Sequence, residues 1–425
     1  MASFDIFATE SVASRKATNP RPLTVDGAVY RERALAAGAE FVANVEKIVP
    51  LIRAHRAESE RIGRVAEASV AAMKEVGVFR AFTPLQFGGL ELPPAAFFDG
   101  IMRIGAADPS AAWIGGQLTV HSFEIALMDE RMQKDFWSDG PDAVASSSYA
   151  PLGKARAVEG GYVLDGTWTF SSGVDHATWV VLGGGERNYL VPLADATVDH
   201  ESWDVHGLRG TGSKAVTLRE VFVPEYRVHE LADTLNETDP GLAVNNRPLF
   251  RLSFTAMFNS TMPNAAIGMT MGGLQEFIEQ TRVRLGRQGT GTASSANPFM
   301  QVRLAQALTK VKGVRTRHLE NWRRLFDLAC RGEEPAQLEK LRVRFEASDA
   351  AGACFETFAD IWPYAGAAAI KDGNPMQNAF RDLMAMRNHG SAGREAAACQ
   401  YIGAMFDQPG PPRSPINMAM VSYYR

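Results

Sequence analysis

Cysteine is scarce in this sequence. The 425 residues contain three cysteines, Cys330, Cys354 and Cys399, and no two of them have the CxxC spacing. Such few and widely separated thiols exclude a disulfide framework and a thiolate zinc site. An HExxH motif is also missing and the histidines are scattered, so no metal site is expected. A chain without disulfides fits a reducing compartment, and we expect it in the cytoplasm.

An excess of basic charge is also missing. Lys and Arg number 44 against 48 Asp and Glu, and the formal net charge is −4. No global positive field can hold a nucleic-acid backbone, so we expect no nucleic-acid partner. The sequence has no uninterrupted apolar run of about 18 residues, so we expect no membrane helix. Its first residues are polar and lack an apolar core, which argues against a secretory signal.

The periodicity of apolar residues changes twice along the chain. We expect residues 1–35 to be a flexible lead-in and residues 36–140 to be helical, with Pro50 as a break. Alternating runs such as GGYVLDGTWTF predict a β domain over 141–240, and four long amphipathic runs predict a helical bundle over 241–425. Because strands and helices are segregated, the fold class is α+β, and a doubly wound nucleotide-binding fold is disfavoured.

Five segments carry a resemblance to known proteins: VGVFRAFTPLQFGGLEL, SAAWIGGQLTVHSFEIALM, DAVASSSYAPLGKARAVEGGYVLDGTWTFSSGVDHATW, LRGTGSKAVTLREVFVPEYR and FRDLMAMRNHG. With these segments in the order α, β, α, the sequence resembles the acyl-CoA dehydrogenase fold. It more closely resembles the flavin-dependent monooxygenases built on that fold, the oxygenase components of two-component aromatic hydroxylases such as 4-hydroxyphenylacetate hydroxylase. The resemblance implies an N-terminal α domain, a middle β-sandwich or barrel domain and a C-terminal four-helix bundle.

The same resemblance implies a function. The chain would be a monooxygenase that uses reduced flavin, FMNH2 or FADH2, with O2 as co-substrate. Through a flavin C4a-hydroperoxide it would insert one oxygen atom into an aromatic or heteroaromatic small molecule. The flavin carries that chemistry, while the protein orients it, hydrogen-bonds it and excludes water. A separate NAD(P)H:flavin reductase would supply the reduced flavin, and the oxygenase would assemble as a homotetramer.

Residues of the matching segments are the candidates for the flavin pocket. By resemblance, Ser172 hydrogen-bonds near flavin N5, Ser147 lies near flavin and substrate, and Trp113 forms a wall of the pocket. Each also has an ordinary structural interpretation. Serines commonly end strands or lie on edge strands, and a Trp on an amphipathic helix commonly belongs to a core.

Two histidines are candidates for handling a substrate proton. His121 follows Trp113 by eight residues, about two helical turns, so both can face one side of a helix. A neutral His can accept or hold a phenolic proton. His389 precedes Gly390 and Ser391, where acyl-CoA dehydrogenases commonly carry a catalytic Glu and the monooxygenases a His. Which histidine is the base stays open, and both can instead be structural.

The segment FTAMF bears on the substrate. Thr255 and Phe258 lie there, where phenylacetate-type hydroxylases carry an Arg three residues before a pocket Phe. With Ser147 they form the expected substrate pocket. Since Thr replaces the Arg that would pair with a carboxylate, the resemblance favours a neutral aromatic or heteroaromatic substrate.

Two further segments are expected at the phosphate end of the flavin. TRVRLGRQ offers Arg282, Arg284 and Arg287, of which Arg284 best matches a family phosphate contact, although a basic helix end explains it equally well. YAGAAAI, which contains Gly366, resembles a small-residue loop that approaches the flavin of a neighbouring subunit. Small residues permit such a close backbone approach, and a simple interhelix turn is the alternative.

Two other functions stay open at this point. An acyl-CoA dehydrogenase-type flavin oxidoreductase is disfavoured because His389 stands where its catalytic Glu belongs. A non-catalytic fold paralogue is disfavoured by the presence of both Ser172 and His121 in the matching segments.

Overall fold

The computed structural model describes residues 14–16, 22–236, 238–284 and 294–406. Helices precede and follow a β region, so the predicted α+β class with its C-terminal helical domain is confirmed. The α-helices are α1 (Gly27–Ile62), α2 (Glu67–Glu75), α3 (Pro94–Gly105), α4 (Pro109–Leu127), α5 (Glu130–Phe136), α6 (Leu231–Asn236), α7 (Phe254–Val283), α8 (Pro298–Cys330), α9 (Gln337–Ile361), α10 (Pro375–Arg387) and α11 (Arg394–Met405). The β-strands are β1 (Ser14–Lys16), β2 (Ala145–Ser148), β3 (Lys154–Val158), β4 (Gly161–Ser171), β5 (Trp179–Gly183), β6 (Arg187–Pro192), β7 (Thr197–Asp199), β8 (Lys214–Pro224), β9 (Val228–Glu230) and β10 (Glu333–Pro335).

Helix α1 begins earlier than the sequence predicts. It starts at Gly27, inside the predicted lead-in, because the Asp26 carboxylate accepts hydrogen bonds from the first free N–H groups of the helix. Tyr30 and Ala34 are buried, which holds this first part of α1 against the body of the protein. The lead-in residues 1–13 and 17–21 lie outside the described residues.

The break expected at Pro50 is wrong, because α1 runs through this residue. A proline inside a helix lacks one N–H donor and crowds the preceding turn. Pro50 is exposed, so the carbonyl that loses its partner faces the solvent side of the helix. The buried residues on either side of it, Val45 and Ile52, keep α1 packed.

Two four-stranded sheets form the middle of the chain. Their strand orders are β2-β5-β6-β9 and β3-β4-β8-β7, and the pairing is antiparallel except between β2 and β5. Side chains from both sheets share one apolar core that includes Leu164, Trp168, Val180 and Val216. The Trp168 indole N–H also donates to the carbonyl of Gly183, 2.9 Å away, which links the two sheets.

The end of β4 is irregular, and this places Ser172. The pairing of β4 with β8 shifts register between Trp168 and Ser171, and Phe170 has a positive φ of 65°. Gly173 follows with φ 70°, and its N–H donates to the carbonyl of Thr211 at 2.9 Å. The bulge and the turn therefore direct the chain away from the sheet at Ser172.

Helix α4 lies at the centre of the molecule. All of its residues are buried, and it packs against α3, α7 and β2. Its first turn is capped by Asp108, whose carboxylate accepts from the N–H groups of Ser110 and Ala111 at 2.9 and 3.3 Å. Because the helix has no solvent-facing side, each of its polar side chains needs a partner inside the protein.

Glycines allow α7 to cross α3 at very short range. A Cβ atom on Gly268 would lie 2.2 Å from the Met102 carbonyl oxygen, and one on Gly272 would lie 2.4 Å from that of Ala106. No side chain fits in these places. The contact sets the position of α7, which also packs on α4.

The C-terminal helices pack on one another, but the fourth predicted run is divided. Its residues form α10 and α11, with a short 3-10 turn over Gly390–Ala392 between them. The run breaks there because small residues flank His389, whose side chain accepts a hydrogen bond from the Ser391 N–H instead of continuing the helix. In the part of the chain that the structure describes, no helix is both long and apolar enough to cross a bilayer.

The glycine contact between α3 and α7 yields a prediction on stability. Gly268→Ala should lower the free energy of unfolding by about 1–3 kcal/mol, since the methyl group overlaps the Met102 carbonyl and forces the helices apart. Gly313→Ala is the control. It lies exposed within α8 with open space around it, and should leave stability unchanged or raise it by up to ~1 kcal/mol. Urea unfolding measures both, and equal stability of the two variants would contradict the prediction.

Candidate functional site

A chain of hydroxyl groups begins at Ser172. The Trp113 indole N–H donates to Ser172 Oγ at 3.0 Å, Ser172 Oγ lies 2.8 Å from Ser213 Oγ, and Ser213 Oγ lies 2.8 Å from Thr211 Oγ1. Thr211 donates to the carbonyl of Leu208 at 2.9 Å. This last bond fixes the direction of the chain, so Ser213 donates to Thr211 and Ser172 donates to Ser213. Ser172 Oγ then keeps one lone pair free, on a side chain that is half-buried.

His389 lies against the other side of Trp113. The two rings meet edge to face with their centroids 5.2 Å apart. The Ser391 N–H points at His389 Nδ1 from 3.2 Å, and the Ser391 hydroxyl lies 2.5 Å from the same nitrogen. Nδ1 is therefore an acceptor, and the proton of the neutral ring is on Nε2. Burial lowers the pKa of His389 to about 4, so the ring is uncharged at neutral pH.

Trp113, Gln117 and His121 recur every four residues along α4 and so lie in one row. His389 and Ser172 contact the first of them, and Gln117 donates to Thr261 of α7 at 2.9 Å. His121 lies about 12 Å further along the helix axis than Trp113. The two candidate histidines therefore occupy opposite ends of one helix face and are not in contact.

Aromatic rings surround His121. Its ring centroid lies 5.7 Å from that of Tyr149 and 6.2 Å from that of Phe258, and the Tyr149 and Phe258 rings meet edge to face at 5.0 Å. Phe258 and Thr255 are three residues apart on α7, so they share a face of that helix. Phe258 is thus brought to His121, and half-buried Thr255 lies on the same face of α7.

A buried carboxylate, Glu124, lies beneath His121. Tyr149 donates its hydroxyl proton to Glu124 Oε2 at 2.5 Å, and the same hydroxyl lies 3.0 Å from His121 Nδ1. The other oxygen, Oε1, accepts from the Asn188 amide at 3.0 Å and faces His229 Nδ1 at 3.1 Å. His229 Nε2 lies 2.9 Å from Asp239 Oδ1. We call the residues Tyr149, Glu124, Asn188, His229 and Asp239 the Glu124 network.

The charges of the Glu124 network follow from these contacts. Burial opposes the charged form of Glu124, but hydrogen bonds from His121 and His229 together lower the pKa of its carboxyl well below the usual range. Burial would likewise lower the pKa of His229, yet hydrogen bonds to Asp239 and Glu124 raise it to about 10. Burial and the adjacent Glu124 charge raise the pKa of Tyr149 well above its usual value. At neutral pH the network holds Glu124 and Asp239 as anions and His229 as a cation.

These bonds also fix the protonation of His121. The Tyr149 hydroxyl donates its hydrogen bond to Glu124, so the Tyr149 oxygen accepts a hydrogen bond from His121 Nδ1–H. The second ring nitrogen, Nε2, is buried and has no hydrogen-bond partner among the residues that the structure describes. His121 therefore offers a lone pair at Nε2, whereas His389 offers an N–H at the same position. Both assignments come from the hydrogen-bond network.

The serines of β2 point in alternate directions. Ser146 donates to the carbonyl of Ser172 at 2.9 Å, and Ser148 donates to that of Thr169 at 2.7 Å, which ties β2 to the end of β4. Ser147 lies between them and is half-buried. By the alternation of side chains along a strand, it points away from Ser146 and Ser148.

The two candidates for the phosphate end are in contact with each other. The Arg284 guanidinium donates to the carbonyls of Tyr364, at 2.5 Å, and of Ala365, while Gly366 has φ 81°. A Cβ on Gly366 would lie 2.6 Å from Arg284 Nη1. Arg284 therefore holds the loop that contains Gly366. Arg287, the third arginine of the segment, lies outside the described residues.

The sequence did not point to the residues that hydrogen-bond to the predicted site residues and orient them. Thr211 and Ser213 belong to the RGTGSK segment, which lacks a phosphate-loop spacing and whose hydroxyls gave no signal of their own. Glu124 stands three residues after His121, a helical spacing that could have indicated a partner. His229 and Asp239 are distant in sequence, and no local pattern connects them with α4.

The residues at Trp113 fit a reduced flavin. The ring of a reduced flavin carries an N–H at N5, and the free lone pair of Ser172 Oγ can accept a hydrogen bond from it. The uncharged His389 adds a donor, and the buried Trp113 supplies an apolar wall. A dry pocket of this kind limits the loss of oxygen as peroxide.

Comparison with known proteins places the chain among flavin-dependent oxygenases. Residues 261–393 match the family model described as acyl-CoA dehydrogenase, C-terminal domain. The chain is 32% identical to the oxygenase subunit HsaA of a flavin-dependent monooxygenase from Rhodococcus jostii, over 86% of this chain and 98% of that protein. It is 28% identical to the oxygenase component of p-hydroxyphenylacetate 3-hydroxylase from Acinetobacter baumannii, over 81% and 84% of the two chains. The crystal structure of 3-HSA hydroxylase from Rhodococcus superposes with a TM-score of 0.83 at 32% identity, over 87% and 97% of the chains.

The charges of the Glu124 network yield a prediction on stability. Asp239→Asn should lower the free energy of unfolding by about 3–5 kcal/mol at neutral pH, because it removes one partner of a buried ion pair. The raised pKa of His229 contributes stability that is complete below its unfolded value near 6.5 and is lost as the pH rises through about 10. Without Asp239 that loss should begin at lower pH.

Urea unfolding at several pH values measures this effect. Asp233→Asn is the matched control, because Asp233 bonds Thr238 in an exposed pair on the same stretch of chain, and its loss should change stability by less than about 0.5 kcal/mol. If the free energy of unfolding of Asp239→Asn falls at alkaline pH over the same range as that of the wild type, the assigned charges are contradicted.

Proposed function

The chain belongs to the flavin-dependent monooxygenases of the acyl-CoA dehydrogenase fold, and on this premise we propose that His121, His389 and Ser172 carry the oxygenation of a phenolic aromatic compound. The chain is an enzyme, an oxygenase component that uses reduced flavin and O2. Membership of this family decides against the two alternatives left open by the sequence, a dehydrogenase of acyl-CoA and a non-catalytic paralogue. The observation that carries the proposal is that the two neutral histidines are different tautomers: His121 has a lone pair at Nε2, and His389 has an N–H there.

Ser172 and Trp113 hold the flavin ring in this proposal. When bound, the reduced flavin activates O2 and delivers one of its oxygen atoms to the substrate. Ser172 Oγ would accept the N–H at flavin N5, since its own proton is donated to Ser213. Trp113 orients Ser172 through its indole N–H and would exclude water from the flavin. His389 would act as a neutral donor through Nε2–H.

His121 receives the substrate proton in this proposal. Its Nε2 lone pair is the acceptor that a phenol hydroxyl requires, and removal of that proton makes the aromatic ring a better nucleophile. Phe258 supplies an aromatic wall beside it, and Ser147 and Thr255 supply hydroxyl groups. Since none of these pocket residues carries a charge, a neutral aromatic or heteroaromatic substrate suits the pocket better than an arylacetate.

We further propose that the enzyme is a homotetramer in which the Arg284–Gly366 contact serves a neighbouring subunit's flavin. Large apolar side chains on the C-terminal helices are exposed in a single chain, among them Val283, Phe299 and Ile370. Such residues are typical of a surface covered by other copies. Light scattering should give the mass of four chains, and a stable monomer at micromolar concentration would contradict the assembly.

The partners follow from the two-component organisation. A separate NAD(P)H:flavin reductase supplies the reduced flavin, and we propose neither a nucleic-acid nor a membrane partner. The three cysteines are free thiols, which supports a place in the cytoplasm.

A coupled assay tests this function. With flavin and NADH alone the pure chain should not consume NADH, and with an added flavin reductase it should hydroxylate members of a panel of phenols and indoles. Ser172→Ala should lower the ratio of hydroxylated product to hydrogen peroxide by about tenfold, because a lost hydrogen bond of up to about 1.5 kcal/mol no longer holds the flavin.

Ser171→Ala is the matched control for this assay. Ser171 is the adjacent serine, its buried hydroxyl has no partner in the described part of the chain, and it takes no part in the proposed site. An unchanged product ratio in Ser172→Ala, or an equal fall in both variants, would contradict the role of Ser172. Rapid NADH consumption by the pure chain would contradict the need for a reductase.

A further inference from the structure

The Glu124 network touches His121 but takes no part in the function proposed so far. We propose that Glu124 is a positioning residue, which acts directly and through Tyr149 to keep the proton of His121 on Nδ1 and to balance the charge of the imidazolium. This inference rests on the proposed role of His121 as the base. It adds a specificity for substrates with an acidic O–H or N–H, because only these transfer a proton to Nε2.

The first step of the argument concerns hydrogen-bond direction. Glu124 has two carboxylate oxygens, and both are occupied by donors: Tyr149 on Oε2, and Asn188 and His229 on Oε1. An ionised carboxylate can only accept, so Tyr149 must donate to it. The Tyr149 oxygen is then left as an acceptor for His121 Nδ1–H, at 3.0 Å. His121 Nδ1 also lies 3.4 Å from Glu124 Oε2, so both oxygen atoms that face Nδ1 are acceptors. Glu124 therefore sets the tautomer of His121 by this direct contact and through Tyr149.

The second step concerns charge. The polar groups around His121 and Glu124 come from several elements: Tyr149 after β2, Asn188 on β6, His229 on β9 and Asp239 after α6. Two anions and one cation among them leave one net negative charge. Because these groups are buried, that charge acts on His121 with little screening. Protonation of Nε2 converts His121 into a cation and neutralises the cluster.

The third step concerns the reaction. The substrate O–H bond breaks, its electron pair remains on the phenolate oxygen, and the proton forms an N–H bond at His121 Nε2. No oxidant is consumed in this transfer. The products are a phenolate and an imidazolium, which the Glu124 network stabilises through Tyr149. A neutral residue in place of Glu124 would leave the buried imidazolium without its counter-charge.

His229 and Asp239 explain why Glu124 stays ionised. A carboxylate with no access to water would otherwise take up a proton. His229 is cationic and donates from both ring nitrogens, to Glu124 at 3.1 Å and to Asp239 at 2.9 Å. Asp239 therefore keeps His229 charged, and His229 keeps Glu124 charged.

The experiment uses the tautomer as a readout that needs no ligand. Solid-state NMR of the full chain labelled with ¹⁵N-histidine resolves Nδ1–H from Nε2–H rings, and the His121 signals are those lost in His121→Asn. The wild type should show the Nδ1–H form. Glu124→Gln should raise the ratio of Nε2–H to Nδ1–H at least about tenfold, since it removes the charged acceptor that faces Nδ1 both directly and through Tyr149. Tyr149→Phe should raise the ratio less, because the contact of Glu124 Oε2 with His121 Nδ1 remains.

Variants and controls keep the test independent of folding. Glu91→Gln is the matched control, because Glu91 is also fully buried and ion-paired, with Arg247, but lies outside the site. It should leave the His121 tautomer unchanged. Should Glu124→Gln fail to fold, Tyr149→Phe preserves the three charges and removes only the Tyr149 hydroxyl that connects Glu124 with His121. A wild-type tautomer in both variants would overturn the proposal.

Product formation separates this inference from the function on which it rests. With a phenol that the coupled assay has confirmed as substrate, Glu124→Gln should slow hydroxylation at least about tenfold, less than the factor of ~10² to 10⁴ typical of losing the base itself. High pH should restore part of the rate, because the substrate then ionises in solution. Undiminished hydroxylation by His121→Asn would contradict the role of His121 as the base. Loss in His121→Asn with a wild-type rate in Glu124→Gln would contradict only Glu124.

Discussion

An ionised carboxylate at the centre of the molecule, Glu124, is the constraint on which the site depends. It lies on a helix with no solvent-facing side, so its charge must be met within the protein. Its partners come from three separate strands or strand ends, which ties α4 to the β2-β5-β6-β9 sheet. The position of α4 in turn fixes the row of Trp113, Gln117 and His121. The charge of Glu124 thereby holds α4 in place, and the rise of the helix sets the distance between the two ends of the candidate site.

The two ends of that row differ in charge. Around Trp113 the described groups are hydroxyls and a histidine that burial keeps neutral, so this end offers hydrogen bonds without net charge. Around His121 a net negative charge favours the uptake of a proton. A neutral end suits a flavin ring whose adducts are destroyed by water and stray protons. A proton-accepting end suits a substrate that must become electron-rich before it meets an electrophilic oxygen.

Much of the fold could be predicted from the sequence, because long helical runs and short alternating strands have different periods. One error arose where tertiary contacts outweigh a local signal, because packing on both sides carries α1 through Pro50. The early start of α1 was missed although its cause, the cap at Asp26, is local. The last helical run divides at His389, where small residues allow the turn that brings this ring to Trp113. Periodicity alone would have continued the helix and placed the ring elsewhere.

The site was predictable only in the residues that a resemblance can name. Ser172, Trp113, His121 and His389 stand in segments with a recognisable pattern, although their roles remain proposals. His229 and Asp239 are separated from His121 by more than a hundred residues, and their contribution is a charge balance that no spacing encodes. Charge balance emerges only when three-dimensional contacts assign each proton. For this enzyme the same contacts make one histidine an acceptor and the other a donor at Nε2. The Tyr149 oxygen accepts a hydrogen bond from His121 Nδ1–H, whereas the Ser391 N–H donates one to His389 Nδ1.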